Sequence, residues 1–330
     1  HNFTYSGGAF TQIYRDTTVE NALTISTGHF KLNNSSNAVT LTIGTTSAAG
    51  SIVNNGTLSV DNSGTNKPTV QGASSLYPAV CTGTDWDWNA NSAADWKLAN
   101  LDYQIALVTG SGSASEKITL TGDCEFDAVT VSSGYTLDLN GQRMECSGAF
   151  TADTGTTVDF GAGMLITSLL DIQNGTYDNE NGASIIVTGS TSGDNIRFND
   201  TSFVGDSTTN ILINNGTTSC DWNNSFGYRG NLRIASPYRS LNGTNNKCGN
   251  LTVATGGELD GDNDILTVHG DFTTSGGLIG TSALETVASS SESASTSSNY
   301  TVLDNQASCT IEFWLKLTDI SNTSARILNV

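Results

Sequence analysis

Charge and long apolar runs are both scarce in this chain of 330 residues. Only 14% of the residues are charged, and 13 Lys and Arg stand against 32 Asp and Glu, which gives a net charge of -19. No basic run interleaved with aromatics occurs, so we expect no nucleic-acid partner, because phosphates require clustered cations. No apolar run approaches the ~18 residues that cross a bilayer, so we expect no membrane insertion.

Proline is rarer still, with only Pro68, Pro78 and Pro237 in the whole chain. Proline removes a hydrogen-bond donor from any strand ladder that it enters. Its scarcity therefore favours a chain made of many paired strands.

The cysteines are few and lack the close C-x-x-C pairs that are typical of a zinc site. An even count permits disulfides in an oxidising compartment, with fifteen pairings open. The alternative is that each cysteine is a small buried apolar side chain. The six are Cys81, Cys124, Cys146, Cys220, Cys248 and Cys309.

Hydroxyl side chains and short repeated phrases are abundant instead. The stretch "LTVATGGELDGDNDILTVHGDFTTSGGLIG", residues 251–280, contains an apolar-Thr-Val phrase twice, each time followed closely by glycine. A shift of 122 positions places Val129 to Val131 on Leu251 to Val253, and the apolar and glycine positions that follow also match without a gap. A weaker copy runs from Leu23 to Gly50. The chain is internally repetitive.

Each phrase alternates apolar residues with Thr or Ser, which predicts a strand of three to five residues with one buried face. Glycine or Asn-Gly then turns the chain. Strands that recur this often predict an all-β fold, a β-solenoid whose coils stack about 4.8 Å apart. A β-sandwich of many short strands is the alternative. In the solenoid the inward residues are Val129, Val131, Leu137, Leu251, Val253, Leu259, Leu266, Val268 and Phe272.

The region from residue 1 to about 285 resembles the parallel β-helix shafts of phage tail spikes and fibres and of bacterial surface proteins. We expect an N-terminal β-repeat region over 1–83 and the main solenoid over 104–282. Between them, a Trp-rich connector covers 84–103.

The connector reads "TDWDWNANSAADWKLANLDY" and gathers Trp86, Trp88 and Trp96. Its Ala-Ala-Asp-Trp-Lys-Leu-Ala core predicts one or two helical turns. The indoles could form a platform on which a sugar stacks. Alternatively, they form a cap or hinge that covers the end of the solenoid core.

A serine-rich stretch over 283–298 is typical of a flexible or lightly packed linker. After it, "SCTIEFWLKLTD" and "ARILNV" resemble the opening strands of a laminin-G-like, concanavalin-type jelly roll. We therefore interpret 299–330 as the start of a truncated domain of a longer protein. The resemblance implies a C-terminal β-sandwich that binds carbohydrate.

Catalytic motifs are missing from the sequence. It contains no G-x-S-x-G, H-E-x-x-H or phosphate loop, and no nucleophile with a base placed beside it. The acidic residues near aromatics that could cut a glycan include Asp178, Glu180 and Asp221, but they match no recognisable acid and base pattern. We therefore expect that the chain is not an enzyme.

One acidic turn could hold a cation. Asp260, Asp262 and Asp264 in "DGDND" offer the oxygen ligands that Ca²⁺ prefers, although the Gly and distal Glu of an EF-hand are missing. A solvated turn is the alternative, and we expect no other cofactor.

Three functions fit these features. The first is a structural, non-catalytic component of a virus particle, such as a phage tail fibre, spike or appendage, that presents a carbohydrate- or receptor-binding module. The second is a secreted cell-surface adhesin or extracellular filament subunit, and the third is a polysaccharide depolymerase. The first is our prediction. It implies other copies or subunits of one assembly and a host or surface glycan as partners, with a location on the virion, outside the cell or at the cell surface.

Overall fold

The fold is known from a computed structural model that describes most of the first 296 residues. The described ranges are 1–7, 11–32, 39–60, 69–83, 95–103, 107–108, 116–189, 196–198, 203–214, 222–224, 228–235, 246–260, 265–275, 277–279, 283–286 and 294–296. The predicted jelly-roll start at 299–330 lies outside them.

The described part of the chain consists of short strands joined by turns. The first seventeen strands are β1 Phe3–Tyr5, β2 Thr11–Ile13, β3 Thr17–Val19, β4 Ala22–Ile25, β5 His29–Leu32, β6 Thr40–Ile43, β7 Ser51–Asn54, β8 Thr57–Val60, β9 Thr69–Gly72, β10 Ala79–Gly83, β11 Asp95–Ala99, β12 Leu101–Tyr103, β13 Leu107–Val108, β14 Glu116–Leu120, β15 Cys124–Phe126, β16 Val129–Val131 and β17 Tyr135–Asp138. The others are β18 Arg143–Ala152, β19 Thr157–Asp159, β20 Met164–Ile172, β21 Thr176–Asp178, β22 Ser184–Val187, β23 Ile196–Phe198, β24 Asn210–Ile213, β25 Trp222–Asn224, β26 Asn231–Ile234, β27 Asn246–Cys248, β28 Leu251–Val253, β29 Glu258–Asp260, β30 Ile265–Val268, β31 Phe272–Thr274, β32 Gly277–Ile279, β33 Ala283–Thr286 and β34 Ala294–Thr296.

These strands form a parallel β-solenoid. One ladder joins β1, β4, β7, β10, β12, β15, β18, β20, β22, β24, β26, β28, β31 and β34 through parallel pairs. The described residues contain no helix, and hence none that could cross a membrane. The all-β solenoid prediction is confirmed, and the sandwich alternative does not describe this part of the chain.

Each turn of the solenoid offers three strand positions. In one turn these are β15, β16 and β17, and each strand pairs with its counterpart in the turns above and below. In the next two turns, β18 and β20 each span the first two positions as a single strand of 10 and 9 residues. The third position stacks β3, β6, β9, β11, β14, β17, β19 and β21 into an eight-stranded sheet.

The strands alternate inward and outward side chains because successive residues of a strand point to opposite faces. The inward side chains form one apolar core that runs through the turns. All nine residues predicted to point inward are buried, with exposed fractions from 0% for Val129 to 5% for Leu259 and Phe272. The prediction of the core is confirmed.

The 122-residue repeat is not the structural register of the solenoid. Leu251 stacks on Leu232 in the first strand position. Val129 stacks on Phe150, which lies in the second half of β18 and hence in the second position. The shift therefore matches similar phrases on different strand positions. Both phrases have the same pattern because every strand must bury alternate residues.

An aromatic cluster fills part of the core. Phe203 stacks on Phe198 with 4.7 Å between ring centroids, and it contacts Phe160 and Tyr177 edge-on at 5.9 and 5.7 Å. Tyr228 is fully buried, and its hydroxyl lies 3.2 Å from the carbonyl oxygen of Thr209. Aromatic pairs of this kind contribute about 0.5–1.5 kcal/mol each beyond the area that they bury.

The prediction of helical turns around Trp96 is wrong. Asp95–Ala99 forms β11, which pairs with β9 and β14, and Leu101–Tyr103 forms β12 in the main ladder. The serine-rich 283–298 also contains strands, since β33 pairs with β30 and β34 pairs with β31. Ladder pairing overrides local helix propensity here because each strand satisfies the backbone of its neighbours.

The four described cysteines are free thiols buried in the core. Burial raises the pKa of Cys124 and of Cys248 to about 12, and it also raises the pKa of Cys81 and Cys146. A thiol that resists ionisation is a poor nucleophile. For these four, the interpretation as small buried apolar side chains is confirmed; Cys220 and Cys309 lie outside the described residues.

Candidate functional site: a carboxylate ladder

Three carboxylates stack on consecutive turns at the third strand position. Strands β17, β19 and β21 end in Asp138, Asp159 and Asp178, and the register pairs Asp138 with Asp159 and Asp159 with Asp178. The residue before each aspartate is buried, so strand alternation turns the three carboxylates outward. We call Asp138, Asp159 and Asp178 the carboxylate ladder.

The spacing of the ladder follows from strand pairing. Parallel neighbours lie about 4.8 Å apart, so adjacent carboxylates are separated by about 5 Å and the two ends by about 10 Å. Retaining glycosidases hold their two carboxyl groups about 5–5.5 Å apart, and inverting ones about 6.5–9.5 Å apart. The ladder therefore offers separations near both ranges on one surface.

The three carboxylates differ in their electrostatic surroundings. Lys117 Nζ lies 2.6 Å from Asp138 Oδ2 and forms an ion pair with that carboxylate. Partial burial raises the pKa of Asp159, and the negative charges of Asp138 and Asp178 raise it further. Lys117 and a hydrogen bond from the Gly161 backbone N–H act in the opposite direction. Burial and the two neighbouring charges thus favour the protonated form of Asp159 relative to an ordinary solvated carboxyl.

The ladder does not form a metal site. Within the described ranges, no group of three or more His, Cys, Asp or Glu side chains is arranged to hold a metal ion. Asn179 follows the ladder in sequence, but its side chain is buried and accepts a hydrogen bond from the Gly205 backbone N–H at 3.1 Å. Its side chain therefore belongs to the buried interior and is not exposed beside Asp178.

The sequence-predicted site residues lie mostly outside the described residues. Trp86, Trp88, Asp262, Asp264 and Asp221 are among these. Trp96 lies on β11 and Asp260 is the last residue of β29, so both belong to the solenoid backbone. Asp178 and Glu180 are exposed, and the Glu180 N–H donates to Asp178 Oδ1 at 3.4 Å.

Sequence reasoning missed two of the three members of the ladder, Asp138 and Asp159. A signal was present, because the phrase Thr-apolar-Asp or Thr-Tyr-Asp occurs at 136–138, 157–159 and 176–178. The separations of about twenty residues match the length of one turn. Only the spacing of that phrase could have indicated the ladder.

A second polar ladder lies at the first strand position. Asn231 Nδ2 donates to Asn210 Oδ1 at 3.1 Å, and Asn250 Nδ2 donates to Asn231 Oδ1 at 2.9 Å. The backbone N–H of Asp271 donates to Asn250 Oδ1 at 2.7 Å and extends the series. We call Asn210, Asn231 and Asn250 the asparagine ladder.

Neither ladder can be assigned a role by analogy with known proteins. No protein family, curated protein or solved structure was found to match the chain.

Proposed function

We propose that the chain is a structural, non-catalytic component of a virus particle, such as a tail fibre, spike or appendage. The observation that supports this is the ladder of parallel strands that continues from β1 to β34 around one apolar core. Such a core adds buried side chains at each turn, at roughly 1.5–3 kcal/mol for each large apolar residue. A fold of this kind is suited to spacing one part of an assembly from another.

The binding module of this proposal begins near residue 299. The likeness of "TIEFWLKL" to the first strands of a laminin-G-like sandwich supports a carbohydrate or receptor ligand, with the tryptophans of 84–103 as a second candidate platform. The partners would be other subunits of the same assembly and a glycan on the host surface. The location would be the virion, or the outside of a cell.

Binding of the full chain to host surface polysaccharide tests this proposal. We expect Trp314→Ala to weaken binding by about tenfold or more, because aromatic residues dominate such contacts. Trp86→Ala is the matched variant in the alternative platform and is expected to bind normally. Loss of binding only in Trp86→Ala would move the site to the connector, and no binding by the unaltered chain would contradict the proposal.

The second function is a secreted adhesin or filament subunit on a cell surface. The same solenoid supports it, and only the source of the assembly differs. Labelling of purified virions and of uninfected cell surfaces with one antibody against the chain separates the two. Signal confined to virions favours the structural viral protein.

A bound Ca²⁺ at Asp260, Asp262 and Asp264 remains a proposal. Calorimetric titration of the full chain with Ca²⁺ tests it, with Asp262→Asn as the variant expected to lose the heat of binding. An identical titration for both proteins would assign "DGDND" to a solvated turn.

The carboxylate ladder favours polysaccharide cleavage as a further candidate. In that case Asp159 would donate a proton to the leaving oxygen, and Asp138 or Asp178 would take the second carboxyl role, as nucleophile or as base toward a water. Release of reducing ends from host polysaccharide, lost in Asp159→Asn, would replace the non-catalytic proposal. Loss in Asp178→Ala, Glu180→Ala or Asp221→Ala, with Asp159→Asn active, would place catalysis elsewhere on the solenoid.

A further inference from the structure

An apolar patch lies on the outside of the solenoid, at the middle of the first strand position. Ile166, Ile186 and Leu212 occupy one outward column on consecutive turns. Each is half-buried, while the residues on either side of it in its strand are more deeply buried or polar. Met164, with 37% of its surface exposed, lies two residues before Ile166 on the same strand. We call these four residues the outer apolar patch.

The same column is polar and charged on the neighbouring turns. Towards the N-terminus it continues through Glu145, Glu125 and Asp102. Towards the C-terminus it continues through Arg233 and Thr252. Apolar residues in three successive outward positions are therefore a local departure from the pattern. A contiguous exposed apolar patch with a polar rim is typical of an interaction surface.

The charges at the two ends of the patch have opposite sign. At the N-terminal end, Arg143 pairs with both Glu125, at 3.3 Å, and Glu145. Two carboxylates share one guanidinium there, so that end keeps a negative charge. At the C-terminal end Arg233 is exposed, and no ion pair to it occurs within the described part of the chain. Glu145 and Arg233 both lie two turns from Ile186, in opposite directions.

We propose that two copies of the chain pack face to face through the outer apolar patch, with antiparallel solenoid axes. The two-fold axis runs along the strand direction at the turn of Ile186. Ile186 then meets Ile186 of the partner subunit, and Ile166 meets Leu212 of the partner subunit. Glu145 faces Arg233 of the partner subunit, and the reverse pair forms on the other side.

The charges favour this arrangement over a parallel one. A parallel dimer that superimposes the same patch would place Arg233 against Arg233 of the partner subunit, and Glu145 against Glu145 of the partner subunit. Like charges that face each other across an interface oppose association, and opposite charges fix its register. Only the antiparallel arrangement joins apolar to apolar and positive to negative residues at the same time.

The surface has the size of a small interface. From Glu125 to Thr252 the first position spans six turn spacings, or about 30 Å, and the four residues of β22 or β24 extend about 13 Å across. The resulting footprint of about 400 Å² per partner is about half that of a standard interface, so the charge pairs at the two ends must contribute to its specificity. Since β18 and β20 each continue through the first two strand positions, the sheet is broadest beside the patch. Dimerisation through this face needs no glycan and would occur in a viral or a cellular setting.

Sedimentation of the full chain over a range of micromolar concentrations tests the dimer. We expect dimers for the unaltered protein and, for Ile186→Lys, a dimer Kd at least about 100-fold higher, because two ammonium groups would meet at the two-fold axis. Val53→Lys is the matched control: Val53 is also an outward, half-buried β-branched residue of this ladder, but its turn lies beyond the overlap. It is expected to dimerise normally.

A charge exchange tests the antiparallel register independently. Arg233→Glu and Glu145→Arg should each raise the dimer Kd by about tenfold, and the double variant should recover most of that loss. Failure of the double variant to recover would overturn this register. The dimer would be overturned if the unaltered chain is monomeric. In that case a further result is informative: resistance of residues 298–330 to protease in the unaltered monomer, together with their cleavage in Ile186→Lys. That last result would assign the face to the chain's own C-terminal segment.

Discussion

The carboxylate ladder and the asparagine ladder are built in the same way but respond oppositely to stacking. Both place identical side chains on three consecutive turns. Each amide of Asn231 and Asn250 donates a hydrogen bond to the amide oxygen of the turn before it. An ionised carboxylate can only accept hydrogen bonds. In the carboxylate ladder, partial burial and then the charges of Asp138 and Asp178 raise the pKa of the central Asp159.

The difference shows why stacking stabilises some side chains of a solenoid and destabilises others. Register brings identical side chains within about 5 Å of each other, so each side chain must be compatible with a copy of itself. A primary amide meets this condition because it carries donors and an acceptor. A carboxylate does not, and the fold retains the carboxylate ladder with the partial compensation of Lys117.

The largest effect is expected when the asparagine ladder is given a carboxylate. Asn231→Asp removes the hydrogen bonds that Asn231 Nδ2 donates to Asn210 Oδ1 at 3.1 Å and to the Ser207 carbonyl at 2.9 Å. At about 1 kcal/mol for each bond, the free energy of unfolding should fall by about 2 kcal/mol at neutral pH. Thermal denaturation followed by circular dichroism measures this change.

Asn174→Asp is the matched control, since Asn174 is exposed and belongs to neither ladder. Its unfolding free energy should change by less than about 0.5 kcal/mol. Equal losses in the two variants would mean that the amide stack contributes nothing beyond ordinary surface chemistry.

A smaller effect of opposite sign is expected when the carboxylate ladder is given an amide. The pKa of Asp159 is raised on folding above its ordinary value of 3.8, so its ionisation is less favourable in the folded protein. Stability is therefore lost as the pH rises through the raised pKa. Asp159→Asn should increase the unfolding free energy by about 1 kcal/mol at neutral pH and by nothing near pH 3, where the carboxyl is protonated in both states.

Asp153→Asn, outside the ladder, is the control for loss of one negative charge from a chain of net charge -19. Melting temperatures of both variants and the unaltered chain at the two pH values supply the comparison. A gain in Asp159→Asn that persists unchanged at the lower pH would contradict ionisation of the Asp159 carboxyl as its cause.

The smallest effect concerns the compensating cation. Lys117→Met removes the partner of Asp138 and should lower the unfolding free energy by about 0.5 kcal/mol, which is ordinary for a partly exposed ion pair. In an Asp138→Asn background the same substitution should cost almost nothing. A similar cost in both backgrounds would assign the effect to the packing of the Lys117 stem rather than to its charge.

The local elements of the fold could be predicted from the sequence. The Thr-apolar alternation of Val129 to Val131 and of Leu251 to Val253 determines which residues are buried, because a strand exposes only one of its faces to the core. The carboxylate ladder could also have been predicted, because the phrases that end in Asp138, Asp159 and Asp178 recur at intervals of about one turn. The asparagine ladder had no such signal, since asparagine is common in this chain.

The local elements were determined by the sequence alone. They are short alternating strands, turns rich in glycine, few prolines and a core of apolar residues. Local sterics and the hydrophobic effect act over a few residues, so a few residues suffice to specify these features. Which strand lies on which was decided only by the tertiary structure. Turn length varies, as Leu165 and Ile185 stack 20 residues apart whereas Ile185 and Ile211 stack 26 apart. No single period therefore holds along the whole chain, and the asparagine ladder and the outer apolar patch become recognisable only once backbone pairing has set the register.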